Sequence, residues 1–263
     1  MDLKLKNKIA LVTGASKGLG YATAQLLSAE GARVAVNSRS PEHINAAADR
    51  ISQETAGQVE AFAGNLTDPA YPGQLIEAVV AKFGGLDILI TNAGGPPSGK
   101  FEQFDDAAWQ HAIELSFLSH MRLIRAALPY LRRSEAASVL TITSYSVKQP
   151  IDNLILSNSI RAATVGLTKT LALELGHEGI RFNSILPGWT ETDRVTDLLQ
   201  ARASANGTTV ADEMHKQTAS SPLGRMATPQ EFANVAAFLV SPAASYLTGV
   251  MLPVDGGMYK GLL

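Results

Sequence analysis

The sequence predicts an α/β fold, in which a parallel β-sheet carries helices on both of its faces. Short apolar runs rich in β-branched residues alternate along the chain with amphipathic stretches of helical period, which is typical of that class. No internal repeat and no linker rich in glycine, proline or serine interrupts the series. Because a chain of 263 residues is close to the size at which one hydrophobic core stops growing, we expect a single domain over residues 1–263.

Seven apolar runs, each bounded by turn residues, are expected to form the strands of this sheet. The predicted strands are KIALVTG (8–14), RVAVNSR (33–39), QVEAFAGN (58–65), LDILITNAG (86–94), SVLTITS (138–144), RFNSILPG (181–188) and GVMLPVDGG (249–257). Helical stretches fill the intervals, so each strand is expected to lead into a crossover helix, as parallel pairing requires.

Residues that cap helices stand where predicted helices begin. Ser40 precedes Pro41, which is an N-cap residue followed by proline at the first helical position. Thr228, Pro229 and Glu231 supply an N-cap, an N1 proline and the acid of a capping box for a second helix. These signals are independent of hydrophobicity and support the same alternation of elements.

The polar segment 189–222 is predicted to be irregular and to act as a substrate lid. It contains Gly207 and Pro222 and lies between the sixth predicted strand and the helix that begins at 229. Ligands of open α/β sheets bind beyond the carboxyl ends of the strands, and a long segment at that edge is suited to cover them.

Composition and charge exclude several classes of function. The formal charge of -2 at pH 7 gives no attraction to nucleic acid or to an anionic membrane, so we expect neither as a partner. The chain has no cysteine, which excludes disulfides, thiolate catalysis and cysteine-ligated zinc. The five histidines show no metal-binding spacing, and we predict no metal site. The first apolar run, Ile9 to Val12, is too short for a signal peptide or a membrane span, which favours a cytoplasmic protein.

The segment TGASKGLG (13–20) follows the first predicted strand and opens the first predicted helix, as a phosphate-binding turn does. Gly14 permits a tight turn, Gly18 lets the backbone approach a pyrophosphate, and Gly20 allows the helix to pack closely on the strand. Unpaired N–H groups at the helix N-terminus would attract the anion. Glycines also occur in purely structural turns, but this context predicts a dinucleotide site, to which we also assign Ser16, Lys17 and Leu19.

Four further motifs are spread along nearly the whole chain: TNAG (91–94), AATVGLTKTLALEL (162–175), RFNSILPG (181–188) and SYLTGVMLPVDGG (245–257). Together with the glycine spacing, they resemble the short-chain dehydrogenase/reductase family, and in particular the branch similar to 3-oxoacyl-carrier-protein reductases. The resemblance implies a Rossmann-type, doubly wound, seven-stranded parallel sheet with helices on both faces, an NAD(P) cofactor and a small-molecule substrate. It also implies a homodimer or a homotetramer.

The residues at the end of the second predicted strand decide between the two nicotinamide dinucleotides. An Asp or Glu there would hydrogen-bond the ribose 2′-hydroxyl of NAD and repel the 2′-phosphate of NADP. The sequence NSRS (37–40) has no acid, and Arg39 is available as a bidentate partner for the phosphate. Lys17 adds a second cation, so NADP(H) is favoured over NAD(H). The alternative is that Arg39 is only a solvated residue at the end of the strand.

The resemblance implies further cofactor contacts, position by position. It places Asn65, with Leu66 beside it, near the adenine, where the family usually has an aspartate. It places the TNAG motif beside the adenosine ribose and the loop after the sixth strand on the nicotinamide side. These residues are Asn92, Ala93 and Gly94 in the motif, and Pro187, Gly188 and Thr192 in the loop. For Asn92 and Pro187, a turn-stabilising role is an equally good interpretation.

Family members act on carbonyls with four side chains: an asparagine on the fourth helix, a serine after the fifth strand, and a tyrosine and a lysine one turn apart on the next helix. Anchoring on AATVGLTK places the lysine position at Arg161 and the tyrosine position at Ser157, at i and i+4 on one helical face. The serine is retained as Ser144, and Ser116 stands at the asparagine position of a helix predicted from about 105 to 128. Arg161 is expected to bind the cofactor ribose or to form a salt bridge with a neighbour.

These departures predict atypical chemistry. A serine hydroxyl is a poor acid and arginine stays protonated at neutral pH, so the usual proton donor is missing. Loss of a positioned acid or base costs typically about 10²- to 10⁴-fold in rate. Tyr145 and Lys148 are the substitutes that the sequence offers. An extended segment would turn Tyr145 away from the side of Ser144, and either substitute could be a solvated loop residue.

Three functions are compatible with these residues. The first is an NADP(H)-dependent oxidoreductase acting on a carbonyl or alcohol, for example a 3-oxoacyl compound, with Ser144 orienting the carbonyl and the proton coming from water or from a nonstandard residue. The second is an NADP(H)-binding protein with little or no activity, such as a regulatory or inactive subunit. The third uses the same site for another reaction, such as a dehydration or an isomerisation.

Overall fold

Seven parallel strands form one sheet in the computed structural model, which describes residues 1–262. The strands are β1 (Ile9–Thr13), β2 (Arg33–Ser38), β3 (Val59–Ala63), β4 (Ile88–Thr91), β5 (Ser138–Ile142), β6 (Arg181–Pro187) and β7 (Met251–Val254). Their order across the sheet is β3-β2-β1-β4-β5-β6-β7, and every pairing is parallel. The predicted Rossmann-type sheet is confirmed. Each strand is shorter than its predicted run, because the turn residues at the ends of the run leave the hydrogen-bonded ladder.

Helices cover both faces of the sheet. They are α1 (Gly18–Ala29), α2 (Pro41–Thr55), α3 (Tyr71–Phe83), α4 (Asp106–Ile113), α5 (Ser119–Leu131), α6 (Ile155–Leu175), α7 (Asp193–Asn206), α8 (Val210–Ala219) and α9 (Pro229–Val240). Side chains alternate along each strand, so Val12 packs with α1, α2 and α9 while Leu11 packs with α3, α5 and α6. Of the helices within residues 1–262, none combines the length and the apolar character that a bilayer-spanning segment needs.

The strand order reverses beside β1. This strand pairs with β2 on one side and with β4 on the other, so the segments that follow β1 and β4 turn to opposite faces of the sheet. A crevice opens between them beyond the carboxyl ends of the strands, which is where open α/β sheets bind their ligands. The glycine turn follows β1 and the TNAG motif follows β4, so both motifs lie at this crevice.

The capping signals fold as predicted. The Ser40 hydroxyl accepts a hydrogen bond from the backbone N–H of His43 at 3.3 Å, and Pro41 is the first residue of α2. At α9, the Thr228 hydroxyl accepts from the backbone N–H of Glu231 at 3.2 Å, and the Glu231 carboxylate accepts from the Thr228 N–H at 2.8 Å. Both predicted helix starts are therefore confirmed.

The prediction that segment 189–222 is irregular is wrong, because most of it is helical. α7 is capped at its N-terminus by Thr192 and ends at Gly207, whose φ of 65° is the left-handed conformation common after helices. α8 begins at a capping box whose first residue is Thr209. Only two residues of α7 are buried, so its apolar periodicity is too weak to indicate a helix.

The helix predicted from about 105 to 128 is interrupted near its middle. A π turn, Glu114–Leu118, joins α4 to α5 and contains Ser116. α5 then continues to Leu131 with Pro129 inside it. The extra residue of a π turn changes the directions of the neighbouring side chains relative to those of an uninterrupted helix.

Candidate functional site

A cavity of about 450 Å³ lies beyond the carboxyl ends of the strands, at the crevice beside β1. Every predicted cofactor residue except Gly20 lines this cavity, and so do three of the four predicted catalytic residues. The cofactor set comprises Gly14, Ser16, Lys17, Gly18, Leu19, Arg39, Asn65, Leu66, Asn92, Ala93, Gly94, Pro187, Gly188 and Thr192, and the catalytic set comprises Ser144, Ser157 and Arg161. The fold thus brings to one place residues that are scattered along the chain.

The glycine turn depends on the absence of side chains at two positions. Gly14 has a φ of 59°, and a Cβ atom there would lie 2.8 Å from the side-chain nitrogen of Asn92. A Cβ atom at Gly20 would collide with the Gly14 carbonyl, so Gly20 shapes the turn without lining the cavity. Asn92 donates a hydrogen bond to the Gly14 carbonyl at 3.1 Å. Asn92 therefore stabilises the turn, as one of its two interpretations predicted, and also lines the cavity.

The start of α1 is suited to an anion. Its N-cap residue, Lys17, is extended and its side chain does not cap the helix. No acidic residue occupies the first turn, and Gly18 and Leu19 of that turn line the cavity. The backbone N–H groups of this turn, together with the helix dipole, would hold a pyrophosphate. This end of the cavity is therefore suited to a phosphate-bearing ligand.

The end of β2 is suited to the 2′-phosphate of NADP. Ser38 has a buried hydroxyl with no hydrogen-bond partner among the described residues. Arg39 is exposed, lines the cavity, and has no hydrogen bond or ion pair within residues 1–262. Lys17, the second predicted cation, instead pairs with Asp193 of α7 at 2.8 Å. Two polar side chains at the end of β2 therefore remain available for a ligand.

The predicted pair on α6 is formed and buried. Ser157 and Arg161 are 9% and 8% exposed, and the Arg161 Nε donates to the Ser157 hydroxyl at 3.2 Å. The Arg161 Nη1 donates to the backbone carbonyls of Ile142 at 3.2 Å and Thr143 at 3.1 Å. Burial, with a smaller contribution from the charge of Arg194, lowers the pKa of Arg161 to about 10. Arg161 therefore remains a cation at neutral pH, and the predicted salt bridge to a neighbour is not formed in the described chain.

Ser144 lies where β5 leads into the cavity. Its hydroxyl oxygen accepts a hydrogen bond from the backbone N–H of Ser146 at 3.1 Å, which leaves its own proton available to a ligand. The expectation that the segment after Ser144 is extended is wrong. Residues Tyr145–Val147 form a 3₁₀ turn instead of an extended segment, and Tyr145 lines the same cavity as Ser144. Burial raises the pKa of the Tyr145 phenol above its usual value.

Lys148, the other predicted substitute acid, is placed differently. Its ammonium group lies 5.0 Å from the centre of the Tyr259 ring, in a cation–π contact. It is not among the described residues that line the cavity. Of these two residues, only Tyr145 therefore lines the cavity.

Ser116 lies behind the wall of the cavity. It is 1% exposed, and its hydroxyl has no hydrogen-bond partner in the part of the chain that the structure describes. Its backbone carbonyl accepts a hydrogen bond from the Thr164 hydroxyl at 2.6 Å, and the adjacent Leu115 lines the cavity in its place. The residue at the predicted asparagine position thus presents no hydroxyl to the cavity.

Two charged or titratable side chains near Arg161 were not singled out in the sequence. Arg194 lines the cavity and donates to the Pro96 carbonyl at 2.7 Å. His120 has its Nδ1 at 2.7 Å from the Thr91 hydroxyl. Burial, and to a lesser extent Arg161, lower the pKa of His120 to about 3, so this histidine is neutral at pH 7. Neither belongs to a local motif, and only the folded chain places them near Arg161.

The assembled site can stabilise negative charge on an oxygen atom. Ser144 supplies a hydroxyl proton and Arg161 a positive charge, and both line one cavity with the start of α1. Position 157 has no aromatic hydroxyl, so the proton donor implied by the resemblance is absent from that position. Within residues 1–262, no three His, Cys, Asp or Glu side chains gather in a way that would hold a metal ion.

The chain is similar to known reductases over nearly its whole length. A family model described as Enoyl-(Acyl carrier protein) reductase matches residues 14–259. The 3-oxoacyl-(acyl-carrier-protein) reductase of Escherichia coli is 34% identical over 257 residues, covering 98% of this chain and 99% of that protein. The enzyme of the same name from Vibrio cholerae is 32% identical over 259 residues, covering 98% of this chain and 99% of that protein.

Solved structures show the same similarity in three dimensions. The crystal structure of L-sorbose reductase from Gluconobacter frateurii, complexed with NADPH and L-sorbose, has a TM-score of 0.94 and 31% identity, and the match covers 100% of both chains. An actinorhodin polyketide ketoreductase variant with NADPH has a TM-score of 0.92 and 29% identity, covering 97% of this chain and 98% of the other.

Proposed function

Because the chain belongs to the short-chain dehydrogenase/reductase family, in the branch similar to 3-oxoacyl-(acyl-carrier-protein) reductases, we propose that it is an NADP(H)-dependent oxidoreductase acting on a carbonyl or alcohol. The observation that carries this proposal is that Ser144 and Arg161 line the cavity into which the glycine turn opens. One cavity therefore contains a dinucleotide cradle and two groups that can act on a carbonyl oxygen.

The choice of NADP(H) rests on the end of β2. Arg39 would bind the 2′-phosphate, and the unpartnered Ser38 hydroxyl would donate to it. No acidic side chain stands at residues 37–40 to repel that phosphate. The similar L-sorbose reductase and polyketide ketoreductase structures contain NADPH, which supports the same choice.

The proposed chemistry uses the residues that remain at the site. Bound NADPH would supply a hydride to the carbonyl carbon. Ser144 would donate a hydrogen bond to the carbonyl oxygen, and the positive charge of Arg161 would stabilise the negative charge that builds up there. Arg161 does not release its proton at neutral pH, so we propose that the proton comes from water or from the Tyr145 phenol. Residues 189–222 would act as the lid over this site.

A second candidate is an NADP(H)-binding protein with little or no activity. It is favoured by the departures at three of the four catalytic positions, since Ser157 is a poor acid, Arg161 retains its proton, and the Ser116 hydroxyl lies outside the cavity. In that role the protein would bind the dinucleotide for regulation or as an inactive subunit. A dehydration or isomerisation is the remaining alternative, and it would appear as substrate turnover without oxidation of NADPH.

One set of measurements separates these functions. NADPH and NADH are first titrated by fluorescence, and a panel of ketones, aldehydes, alcohols and 3-oxoacyl thioesters is then assayed. The enzymes compared are the wild type, Ser144→Ala, Tyr145→Phe, and a triple variant carrying Ser116→Asn, Ser157→Tyr and Arg161→Lys.

Tight NADPH binding with turnover that falls about 10²-fold in Ser144→Ala would support the oxidoreductase. A large loss of turnover in Tyr145→Phe would identify the phenol as the proton source. Turnover at the wild-type rate in that variant would indicate that water supplies the proton. NADPH binding without turnover, followed by gain of activity in the triple variant, would support the binding protein. Failure to bind either dinucleotide would contradict both proposals.

We also propose that the protein acts in the cytoplasm as a homodimer or homotetramer, on a small molecule and without nucleic acid or membrane partners. The formal charge of -2 and the family membership support this assignment. Light scattering after size-exclusion chromatography would give the oligomeric state directly, and a monomer at micromolar concentration would contradict the proposal.

A further inference from the structure

Arg161 is a buried cation without an acidic partner. It is 8% exposed, and within the described chain it donates only to neutral oxygens, those of Ser157, Ile142 and Thr143. Its Nη2 donates to none of residues 1–262. A buried charge without an opposite charge is costly to maintain in a protein. A ligand that brings negative charge into the cavity would remove this cost.

A second cation lines the same cavity. Arg194 of α7 donates from its Nη2 to the Pro96 carbonyl at 2.7 Å, which is again a neutral oxygen. Its charge is near enough to contribute to the lowered pKa of Arg161, although burial is the larger cause. The two guanidinium groups therefore repel each other, and an anion in the cavity would replace this repulsion with attraction.

Acidic side chains of the wall do not neutralise the buried charge. Among the described lining residues they are Asp193 and Asp197, and neither hydrogen-bonds to Arg161. Asp193 is paired with Lys17 at 2.8 Å, and both side chains of that pair are 68% exposed. Asp197 is exposed on α7. Burial lowers the pKa of Arg194, and the negative charge of Asp197 partly offsets this effect. The inner part of the cavity thus keeps a net positive charge.

The remaining wall contains hydrogen-bond donors and apolar groups. Trp189 lines the cavity, and its buried indole N–H lies beside the Tyr145 phenol. Ser144 has a hydroxyl proton to donate. Apolar side chains complete the lining: Leu115, Ile151, Leu154 and Leu198. A ligand rich in acceptors, with a small apolar body, matches this combination.

Resting on the proposed function, we propose that the substrate is an oxo acid, or the corresponding hydroxy acid, whose carboxylate is bound by Arg161 and Arg194. The Arg161 Nη2, which is left free, would donate to one carboxylate oxygen, and the guanidinium of Arg194 would donate to the other. The Arg161 Nη1 donates to the carbonyl of Thr143, the residue just before Ser144, so the carboxylate subsite adjoins the carbonyl subsite. This adjacency favours 2-oxo acids, in which the carboxylate is attached to the reacting carbonyl carbon.

The first experiment measures binding without turnover. The wild-type protein, with and without saturating NADP⁺, is titrated with benzoate and with benzamide, which have nearly the same shape and differ in charge. We expect benzoate to bind at least about 10-fold more tightly than benzamide, since a charged hydrogen bond is lost in the amide. The preference should disappear in Arg194→Gln and persist in Arg125→Gln, whose exposed guanidinium on α5 does not line the cavity. Equal affinities in the wild type would overturn the proposal.

The second experiment measures turnover with NADPH for 2-oxo acids, their primary amides and the corresponding methyl ketones. We expect kcat/KM to favour the acid by at least about 10-fold, and Arg194→Gln to remove most of this preference through KM. Reduction of ketones without preference for the acids would overturn the carboxylate site and leave the oxidoreductase standing. Selective benzoate binding without reduction of any carbonyl would contradict the oxidoreductase and uphold the carboxylate site. Unchanged NADPH affinity and thermal midpoint verify that each variant is folded.

Discussion

Arg161 and Ser157 lie one turn apart on α6, and the Arg161 Nε donates to the Ser157 hydroxyl at 3.2 Å, away from solvent. We expect Ser157→Ala to lower the free energy of unfolding by about 1–3 kcal/mol, because a buried guanidinium loses a hydrogen bond that water does not replace. Urea unfolding followed by circular dichroism measures this change. The matched control is Ser159→Ala, an exposed position on the same helix, which should change the free energy by less than about 0.5 kcal/mol. Equal effects at the two positions would show that the hydrogen bond contributes nothing.

Arg39 is expected to set the cofactor preference. Arg39→Asp replaces an exposed cation on the cavity wall with a carboxylate that repels a 2′-phosphate. NADPH affinity should fall by about 10- to 100-fold, which corresponds to the loss of one charged hydrogen bond, while NADH affinity should not fall, since the new carboxylate can accept a hydrogen bond from the ribose 2′-hydroxyl. Fluorescence titration of both dinucleotides tests this, with Arg125→Asp as the control for net charge. Parallel losses for NADPH and NADH would mean that Arg39 is only a solvated residue.

The turn after β1 should not tolerate a methyl group at Gly20. The added Cβ atom would meet the Gly14 carbonyl, and neither backbone can move without distorting the turn. Gly20→Ala should therefore cost about 1–3 kcal/mol of stability and weaken NADPH binding at the same time. The control is Gly73→Ala in α3, where a Cβ atom meets nothing within 4 Å and alanine should stabilise by about 0.5–1 kcal/mol. Normal NADPH affinity in Gly20→Ala would argue against the assigned pyrophosphate cradle.

Glu213 makes the packing of α8 on α7 dependent on pH. Its carboxylate accepts hydrogen bonds from Lys216, Thr208 and Asn206, which lower its pKa from the ordinary 4.5 to about 2. Because the folded pKa is depressed, the stabilisation is fully present above pH 4.5 and is lost as the pH falls towards 2. Urea midpoints should place Glu213→Gln below the wild type near neutral pH, and the gap should narrow as the pH falls below 4.5. A gap that stays constant over that range would contradict this assignment.

The sheet was predictable because its signals are local. A strand buried on both faces is apolar at successive positions, as in IALV (9–12) of β1, because Ala10 and Val12 pack on one face of the sheet and Leu11 on the other. The starts of α2 and α9 were predictable for the same reason, since a cap and its partner are three residues apart. α7 and α8 also begin at caps, Thr192 and Thr209, but they bury only Leu199, Ala203 and Glu213, so they lack the apolar face that indicates a helix.

Some residues of the candidate site could likewise be predicted from the sequence, and others could not. The glycine turn lies between a strand and a helix that are both easy to recognise, so its position at the cavity could be predicted from the sequence. The conformation at Tyr145 could not be predicted, because it depends on a 3₁₀ turn that begins where the strand ends and its two-residue periodicity no longer applies. Arg194 and His120 approach Arg161 from distant parts of the chain, and an isolated arginine or histidine has no pattern of its own.

The ion pair between Lys17 and Asp193 joins the phosphate-binding turn to α7. Both side chains are 68% exposed, so dissolved ions screen their attraction and the pair is individually weak. If a dinucleotide binds at this turn, the pair would make its release depend on ionic strength, because added salt would weaken the pair and shorten the residence time of the dinucleotide. If departure of oxidised dinucleotide limits the cycle, the steady-state rate would rise with electrolyte.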